Sequence, residues 1–379
     1  MVASIVPGER AAFPPVAAGT LPLRKTKRPP AGAGITVGRM YEKSSSLTWR
    51  PLTSEDAKAG ADLLNAMETV DKIGEKYDEE DTRQELIDPY AELERGSLAA
   101  FDGDVMVGYM KTNYKPGAEE IHRVFMDGGV HPDYRRQGLG AVLLKAGVAA
   151  AKELHALHHP TLKLVVDVQR GEHIVGVAEL FRSQGFTPVR YYQHMEHPLG
   201  HAIPDTAIPV GMRVEVWSEQ NDEEFRMIRN ESFRDHWSLA PLPADSWKNK
   251  VTNHTFRPEA SFLLRDVTNG TPAGMLVTKY WEADTVATGV RNAHFMFIGT
   301  LGDHRRRGVA SALIAHALRA VADQGYGRAS LQVDSANPTG AFGLYEKAGF
   351  TSRRRFVCWA LEVDAQTESC GTARMGAGG

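Results

Sequence analysis

The chain has 379 residues, of which 42% are hydrophobic, and its formal net charge is −3. This length corresponds to about two domains of ordinary size, and the near-neutral charge gives no electrostatic reason to expect nucleic acid as a partner. Cys358 and Cys370 are the 2 cysteines of the sequence; they are too few for a disulfide framework, so we expect a cytoplasmic location. No stretch approaches the roughly 20 apolar residues of a membrane helix, so we expect no membrane partner.

Both ends of the chain are expected to be tails. Residues 1–45 are rich in Pro, Ala and Gly, contain a basic patch at 24–28 and show no sustained hydrophobic period, which predicts disorder. Prolines interrupt every apolar stretch that could form a signal peptide: Pro7, Pro14, Pro15 and Pro22. Residues 365–379 predict a second flexible tail.

The first half of the remaining chain opens with a helix whose cap is Ser54. Two β runs follow at 98–101 and 105–111, joined by the hairpin turn Asp102-Gly103. After a basic turn come a helix, a β run at 162–168, another helix and a Gly-Phe turn at 185–186.

The second half repeats this order. A helix capped at Ser218 precedes β runs at 262–265 and 273–280, with the turn Asn269-Gly270 between them. A further β run ends in a basic turn, and a helix follows with apolar residues at helical spacing: Val309, Leu313, Ala317 and Val321. A β run at 329–333 and a Gly-Phe turn at 349–350 complete the copy.

An internal repeat therefore organises the chain. The spacing R-x-x-G-x-G/A occurs at Arg135, Gly138 and Gly140, and again 170 residues later (305 − 135) from Arg305. Each half reads β-α-α-β-β-β-α-β-α-β-β, which predicts an α/β (α+β) fold with a mixed, mostly antiparallel sheet flanked by helices in each of two domains. We place these domains at 46–200 and 212–364, with a linker at 201–211.

The basic turns have the composition of an anion site. In the second copy a strand runs through Arg305, Gly308 and Ala310 into a helix N-terminus, where free backbone N–H groups and the positive end of the helix dipole meet. A dinucleotide fingerprint would need a third glycine, and none follows Ala310 at that spacing. A basic helix start on a solvated surface is the other interpretation of the turn.

A second signature after this turn identifies a family resemblance. Asn337, Tyr345 and the Gly349-Phe350 turn follow the β run at 329–333. The two motifs together resemble the GCN5-related N-acetyltransferases, and the repeat resembles a tandem member. The resemblance implies acetyl-CoA as co-substrate, bound by Ile298, Thr300, Arg305, Arg306, Arg307, Gly308, Val309, Ala310, Asn337 and Tyr345. It implies a second coenzyme A site at Val130, Arg135, Arg136, Gln137, Gly138, Leu139 and Gly140.

The two copies differ at the position of the expected proton donor. Counted from the Gly-Phe turns, Tyr345 corresponds to Phe181. In the family a tyrosine here often protonates the leaving thiolate, so the resemblance implies catalysis in the second half, with Tyr345 as general acid. The first half is then structural or only binds coenzyme A. The alternative for Tyr345 is a packing role.

The acceptor amine must lose a proton, and the sequence leaves the base open. The candidates are His236, His294 and Asp334, each with an ordinary structural role as its alternative, and relay through water is a further option. By resemblance, a strand bulge is expected near 299–301. His236, Trp237, Trp247 and Trp281 are expected to shape the acceptor pocket.

We therefore expect an acetyl-CoA-dependent N-acetyltransferase that acts by direct transfer on a small-molecule primary amine. A protein N-terminus or lysine is the alternative acceptor, and a non-catalytic acyl-CoA-binding scaffold is the alternative class. A monomer or homodimer is expected. No metal is expected: His155, His158 and His159 are close together, and His155 and His159 would share a helical face, but Pro160 ends that helix and no carboxylate or cysteine stands at ligand spacing.

Overall fold

The computed structural model describes residues 46–88, 90, 92–114, 116–234, 236–237, 239–336 and 340–363. The two predicted tails and Asn337 lie outside these described residues.

The first half contains six strands and five helices among the described residues. The strands are β1 (Thr48–Arg50), β2 (Ser97–Asp102), β3 (Val105–Tyr114), β4 (Ile121–Val130), β5 (Lys163–Gly171) and β6 (Thr187–Pro198). The helices are α1 (Ala57–Asp71), α2 (Glu79–Leu86), α3 (Leu93–Gly96), α4 (Leu139–His158) and α5 (Val177–Ser183).

The second half follows the same plan, again with six strands and five helices in its described part. The strands are β7 (Met212–Val216), β8 (Phe262–Asp266), β9 (Pro272–Lys279), β10 (Asn292–Thr300), β11 (Arg328–Asp334) and β12 (Thr351–Val363). The helices are α6 (Asp222–Ser232), α7 (Ala244–Thr252), α8 (Glu282–Thr288), α9 (Val309–Asp323) and α10 (Ala341–Lys347). Three details of the sequence prediction are wrong: each half closes with one long strand instead of two, and neither α3 of the first half nor α8 of the second half was foreseen.

All twelve strands form one mixed sheet with the order β1-β2-β3-β4-β5-β12-β6-β11-β10-β9-β8-β7. Corresponding strands of the two halves lie at equal distances from the centre of the sheet: β1 and β7 form the two edges, and β12 and β6 lie side by side in the middle. The sheet therefore has a pseudo-twofold axis between β12 and β6. Near this axis the side chain of Gln169 on β5 donates to that of Gln332 on β11 over 3.4 Å.

The two halves exchange their last strands. β12, from the end of the second half, pairs with β5 of the first half from Phe356 to Val363. β6, from the end of the first half, pairs with β11 of the second half along its whole length, from Arg328 to Asp334. The sequence repeat does not foresee this exchange, because it orders elements along the chain and carries no information on strand pairing.

Helices cover both faces of the sheet. On one face α4 packs over β3 and β4, with Leu143 and Leu144 against Met110 and Val124, and α9 packs in the same way over the second half. On the other face α1 contributes Leu63 to a cluster with Ala99 and Phe101, and α6 and α7 form the corresponding cluster. Burial of apolar side chains against both faces supplies the main stabilisation of such a layered fold.

The central parallel strands of each half separate toward their carboxyl ends. The pairing of β4 with β5 stops after Phe125 and Asp167, and that of β10 with β11 stops after His294 and Ser330. The strand bulge expected near 299–301 is wrong in position: the register of β10 against β9 shifts at Met296, whereas residues 299 and 300 pair regularly. An extra residue in one strand bends it away from its neighbour.

Candidate active site

The two basic turns have nearly the same backbone conformation. Gly138 and Gly308 cap the following helices with φ of 90° and 81°, and the residues two positions before them, Arg136 and Arg306, both have φ of 62°. A non-glycine residue with positive φ is uncommon and needs support from its surroundings. The repetition of this unusual conformation in both halves indicates that the turn geometry itself is required.

The first arginine of each motif braces its own turn. The side chain of Arg135 donates to the carbonyl of Val130 at 3.0 Å, and that of Arg305 donates to the carbonyl of Thr300 at 3.4 Å. Arg135 also binds the carboxylate of Asp71 through both terminal nitrogens, at 2.6 and 2.8 Å. The carboxylate of Asp71 therefore neutralises the charge of Arg135.

The other arginines of the second turn differ in their engagement. Arg307 contacts His304 at 3.0 Å and Asp266 at 3.6 Å. Arg306 is exposed and makes no hydrogen bond or ion pair with any described residue. It is therefore the arginine of this turn best able to meet a phosphate, together with the backbone N–H groups at the start of α9.

A pocket of about 400 Å³ lies directly on the second turn and is lined by residues of the expected coenzyme A site: Thr300, His304, Arg305, Arg306, Gly308, Val309, Ala310 and Ser311. A Cβ atom on Gly308 would stay 3.8 Å from its nearest neighbour, so the approach to the backbone is open. The hydroxyl of Thr300 is buried there without a hydrogen-bond partner among the described residues. An anionic ligand with hydrogen-bonding oxygens fits these groups.

The first half has a larger cleft of about 430 Å³ between β4 and β5. It runs from the turn residues Val130, Arg136, Gly138 and Gly140 past Leu144 to Phe181, and its walls are mostly apolar. The predicted residue Leu139 is buried beside it, and Gln137 donates to the carbonyl of Asp133 instead of facing the cleft. The cleft has the shape and chemistry for a long, mostly apolar chain that ends in a phosphate group.

A charged bridge crosses the opening between the two strands of the first half. Arg170 on β5 pairs with Asp127 on β4 at 3.1 Å and also donates to the backbone carbonyl of Gly128. In the second half, Phe297 lies on β10 and Val333 on β11 beyond the last paired residues, and both are buried apolar side chains. The gap in the first half is thus closed by an ion pair that the second half does not form.

Tyr345 lies on α10, inside the core cluster that contains Phe295, Val333 and Ile298. Its side chain is fully buried, and its hydroxyl has no hydrogen-bond partner among the described residues. Burial raises the pKa of this phenol far above its ordinary value, so the group stays protonated at physiological pH. A buried hydroxyl without a partner costs free energy, and a ligand atom that accepts from it would remove that cost.

A concentration of polar side chains lies on the α1 side of the sheet, at the pseudo-twofold axis. A cavity of about 160 Å³ is lined there by residues from both halves. Its carboxylates are Glu68, Asp71, Glu75, Asp127, Glu196 and Asp284, and its cations are Lys279, Arg170 and Arg328. Arg135 also pairs with Asp71, and Arg353 and Arg354 lie near Glu196, so the cavity presents both carboxylates and cations to a polar guest.

Two of the expected residues reach this cavity: His294 and Trp281. Nδ1 of His294 lies 2.9 Å from the hydroxyl of Ser330, and its ring lies 5.6 Å from that of Trp281. His294 is thus near both the cavity and the point where β10 leaves β11.

Asp334 and His236 lie elsewhere. Asp334 is buried at the end of β11 and accepts from the backbone N–H of Ala336 at 2.8 Å. Burial raises its pKa, although this N–H and the charge of Arg190 act in the opposite direction. His236 packs beside Phe233 and Trp237. Neither side chain is among the residues that line the central cavity.

The remaining two aromatic residues of the expected acceptor pocket have structural contacts. Trp247 is buried in the α6 and α7 core and donates to Asp222 at 2.7 Å. Trp237 reaches across the axis, donates to the hydroxyl of Tyr192 at 2.7 Å and packs on the guanidinium of Arg123. It ties the two halves together beside the cavity.

Sequence reasoning missed His194, Glu196 and Lys279, all of which line the cavity. His194 and Glu196 belong to β6, which the chain order assigns to the first half and the strand exchange places beside β11. The period-two spacing that puts both on one face of a strand is visible in the sequence, but the partner strand is not.

Among the described residues, no helix combines the length and the apolar character needed to cross a bilayer.

Comparison with known proteins agrees with this architecture. The sequence model described as "Acetyltransferase (GNAT) family" matches twice, at residues 62–174 and 222–350. The chain is 28% identical over 270 residues to a protein named mycothiol acetyltransferase from Thermobispora bispora, covering 70% of this chain and 81% of that protein. A protein of the same name from Salinispora arenicola is 28% identical over 316 residues, covering 81% and 92%.

Solved structures show the same fold. A GCN5-related N-acetyltransferase from Sphaerobacter thermophilus superposes with a TM-score of 0.67 at 20% identity, over 84% of this chain and 96% of that one. A tandem GNAT protein from the clavulanic acid biosynthesis pathway superposes with a TM-score of 0.59 at 16% identity, over 83% and 98%.

Proposed function

Because this chain belongs to the GNAT acetyltransferase family, we propose that it transfers the acetyl group of acetyl-CoA to the primary amine of a small molecule, and that the reaction takes place in the second half. Acyl-CoA-dependent acetyl transfer follows from the family. The acceptor and the site of catalysis are the proposed part.

The central cavity supports a small acceptor. Its volume of about 160 Å³ suits a small polar group and is too small for a folded protein surface. Its carboxylates can pair with a protonated amine. The similarity to proteins named mycothiol acetyltransferase, over 70% and 81% of this chain, points in the same direction.

The contrast between Tyr345 and Phe181 supports catalysis in the second half. Thioester cleavage leaves a thiolate that needs a proton, and Tyr345 holds a phenol proton inside the core, whereas Phe181 has none to give. A second contrast concerns the opening between the strands. Arg170 bridges it in the first half, whereas Phe297 and Val333, on the corresponding strands of the second half, are apolar and buried.

Each part of the second half then has a role. The turn at 305–310 and Arg306 bind the diphosphate of acetyl-CoA, with Ile298 and Thr300 beside its chain. The cavity holds the amine against the parted strands β10 and β11, so that approximation supplies a large share of the rate, about 7 kcal/mol or more. The cleft of the first half binds a second acetyl-CoA without turnover.

Release of free thiol from acetyl-CoA with an amine panel tests the proposal. The panel contains serine, glucosamine, spermidine and a lysine-containing peptide. We expect the full chain to acetylate at least one of the three small amines and to leave the peptide unmodified. Acetylation of the peptide alone would contradict a small acceptor, and binding of acetyl-CoA without thiol release would indicate a scaffold.

Tyr345→Phe tests the site of catalysis, and Tyr326→Phe is its matched control. Tyr326 is a second buried tyrosine of the same half, and it lies outside the residues that line the pocket on the second turn. Loss of either hydroxyl should change the free energy of unfolding by less than about 1 kcal/mol. Only Tyr345→Phe should lower kcat, by about 100-fold. Equal turnover of the two variants would overturn the assignment to Tyr345.

A further inference from the structure

Two polar residues of the exchanged strand β6 face the central cavity. His194 and Glu196 are two positions apart and therefore project from the same face of the strand. The ladder places His194 beside Gln332 and Glu196 beside Ser330 on β11. Ser330 is the last residue of β11 that pairs with β10, so His194 lies next to the point where the strands part.

The contact between these side chains determines which nitrogen of His194 can take a proton. Nε2 of His194 lies 3.4 Å from Oε1 of Glu196. An ionised carboxylate only accepts hydrogen bonds, so Nε2 carries the proton in the neutral imidazole. Nδ1 is then the basic nitrogen, and no described residue hydrogen-bonds to it. A carboxylate that orients a histidine in this way is a recurrent arrangement for proton transfer.

Glu196 is held in its ionised form. Burial alone would raise its pKa, but the hydrogen bond from His194 and the charges of Arg328 and Arg354 lower it to about 2. Arg328, Arg353 and Arg354 lie 3.4, 3.5 and 3.8 Å from its oxygens. The carboxylate is therefore available to His194 throughout the physiological pH range.

His294 is engaged with a polar network of the sheet. The side chain of Arg328 donates to Oδ1 of Asn292 at 3.2 Å, which fixes the orientation of that amide. Nδ2 of Asn292 then donates to the hydroxyl of Ser330 at 2.9 Å, and this hydroxyl lies 2.9 Å from Nδ1 of His294. Nδ1 of His294 thus contacts a side chain of the sheet, in contrast to Nδ1 of His194.

The pseudo-twofold axis supplies an internal comparison. In the first half, Cys358 pairs with Gln169 and Ala360 pairs with Asp167, which are the positions that His194 and Glu196 take in the second half. Neither Cys358 nor Ala360 can form a carboxylate–histidine pair. The pair therefore stands only on the side of the axis that also carries Tyr345.

We propose that His194, oriented by Glu196, is the general base that removes a proton from the acceptor amine. This rests on the proposed function. An N–H bond of the ammonium breaks and its proton moves to Nδ1 of His194. The nitrogen lone pair forms the new C–N bond as the C–S bond breaks, and the departing thiolate takes a proton from Tyr345. The second proton that the amine nitrogen loses restores the phenol, so the products are the amide, the free thiol and protonated His194.

Nucleophiles that differ in their need for a base test this role kinetically. The probes are glucosamine, which is largely protonated at pH 7, and hydroxylamine, which is largely neutral. With glucosamine, His194→Gln should lower kcat/KM by about 100-fold. With hydroxylamine, kcat/KM should change by only a few fold. Glu196→Gln should show the same pattern with a smaller loss, and His201→Gln, at an exposed histidine of the linker, should match the wild type.

The possible outcomes distinguish failure of the His194 assignment from failure of the proposed function. Equal losses of His194→Gln with both nucleophiles would assign a structural role to His194 and overturn the proposal. Wild-type activity of His194→Gln on glucosamine would overturn it as well. If the wild-type chain releases thiol with neither nucleophile nor any panel amine, the proposed function fails first.

The position of the proton on the His194 ring can be measured without enzymatic turnover. In protein labelled with ¹⁵N-histidine, long-range ¹H–¹⁵N correlation at pH 8 should show His194 with its proton on Nε2. This preference should weaken in Glu196→Gln. A proton on Nδ1 in the wild type would overturn the proposal, because the basic nitrogen would then face Glu196.

Discussion

At the scale of single residues, the site depends on buried polar groups whose state is set by their neighbours. Tyr345 stays protonated because nothing solvates its anion, and Glu196 stays ionised because His194 and arginines surround it. The same type of side chain in water would have an ordinary pKa. Local environment therefore reinforces the proton state that each residue type already has at neutral pH.

The pKa of Glu196 predicts a pH-dependent contribution to stability. Its pKa falls from the ordinary 4.5 to about 2 on folding, so the stabilisation is fully present above pH 4.5 and is lost as the pH falls toward 2. A shift of this size corresponds to at most about 3 kcal/mol. Urea unfolding between pH 7 and pH 2 should show a shallower decline for Glu196→Gln than for the wild type. Parallel curves would contradict the prediction.

At the scale of elements, the two halves separate their central strands by different means. β10 carries a bulge at Met296. The pairing of β4 with β3 shows no register shift, and β4 contains Gly128 with φ of 150° instead. A Cβ atom on Gly128 would lie 2.1 Å from the carbonyl oxygen of Tyr109. The strand can therefore follow this path only without a side chain at that position.

Gly128→Ala should consequently destabilise the protein strongly, with Gly103→Ala as its matched control. Gly103 has φ of 59°, and a Cβ atom there would meet nothing within 4 Å. We expect about 1 kcal/mol of lost unfolding free energy for Gly103→Ala, from backbone strain alone. Gly128→Ala should lose several kcal/mol, since it adds a clash with rigid backbone. Urea unfolding measures both values, and similar losses would show that β4 can move to accommodate the methyl group.

At the scale of the whole molecule, strand exchange joins the repeats into one sheet and creates the cavity at their junction. β12 of the second half lies between β5 and β6, and β6 of the first half lies between β12 and β11. Each half alone would therefore expose unpaired backbone N–H and C=O groups. The cavity needs His194 from one half and His294 from the other. Assembly of the site therefore requires both halves.

Division of the chain within the linker tests this interdependence. Residues 46–200 and 201–364, co-expressed as separate chains, should co-purify as one complex and release thiol from acetyl-CoA with the same amines as the intact protein. Either fragment expressed alone should aggregate, because its central strands lack their partners. Separate elution of two well-folded fragments in size-exclusion chromatography would contradict the exchanged arrangement.

Much of the fold and part of the site could be predicted from the sequence. The motifs at Arg135 and Arg305 identified the repeat and the phosphate turns, since a strand, a small-residue turn and a helix start are local features of neighbouring residues. Hydrophobic period located most strands and helices to within a few residues for the same reason. Family membership and the mixed sheet flanked by helices, both inferred from these motifs, are confirmed.

The features that could not be predicted from the sequence depend on contacts between distant segments of the chain. Chain order alone could not tell that β6 pairs with β11 or that β12 lies beside β5, because a strand edge accepts any partner of suitable register. His194, Glu196 and the central cavity follow from that pairing. The motifs along the chain determined what chemistry this protein performs, and the exchange of two strands decided where the groups for that chemistry meet.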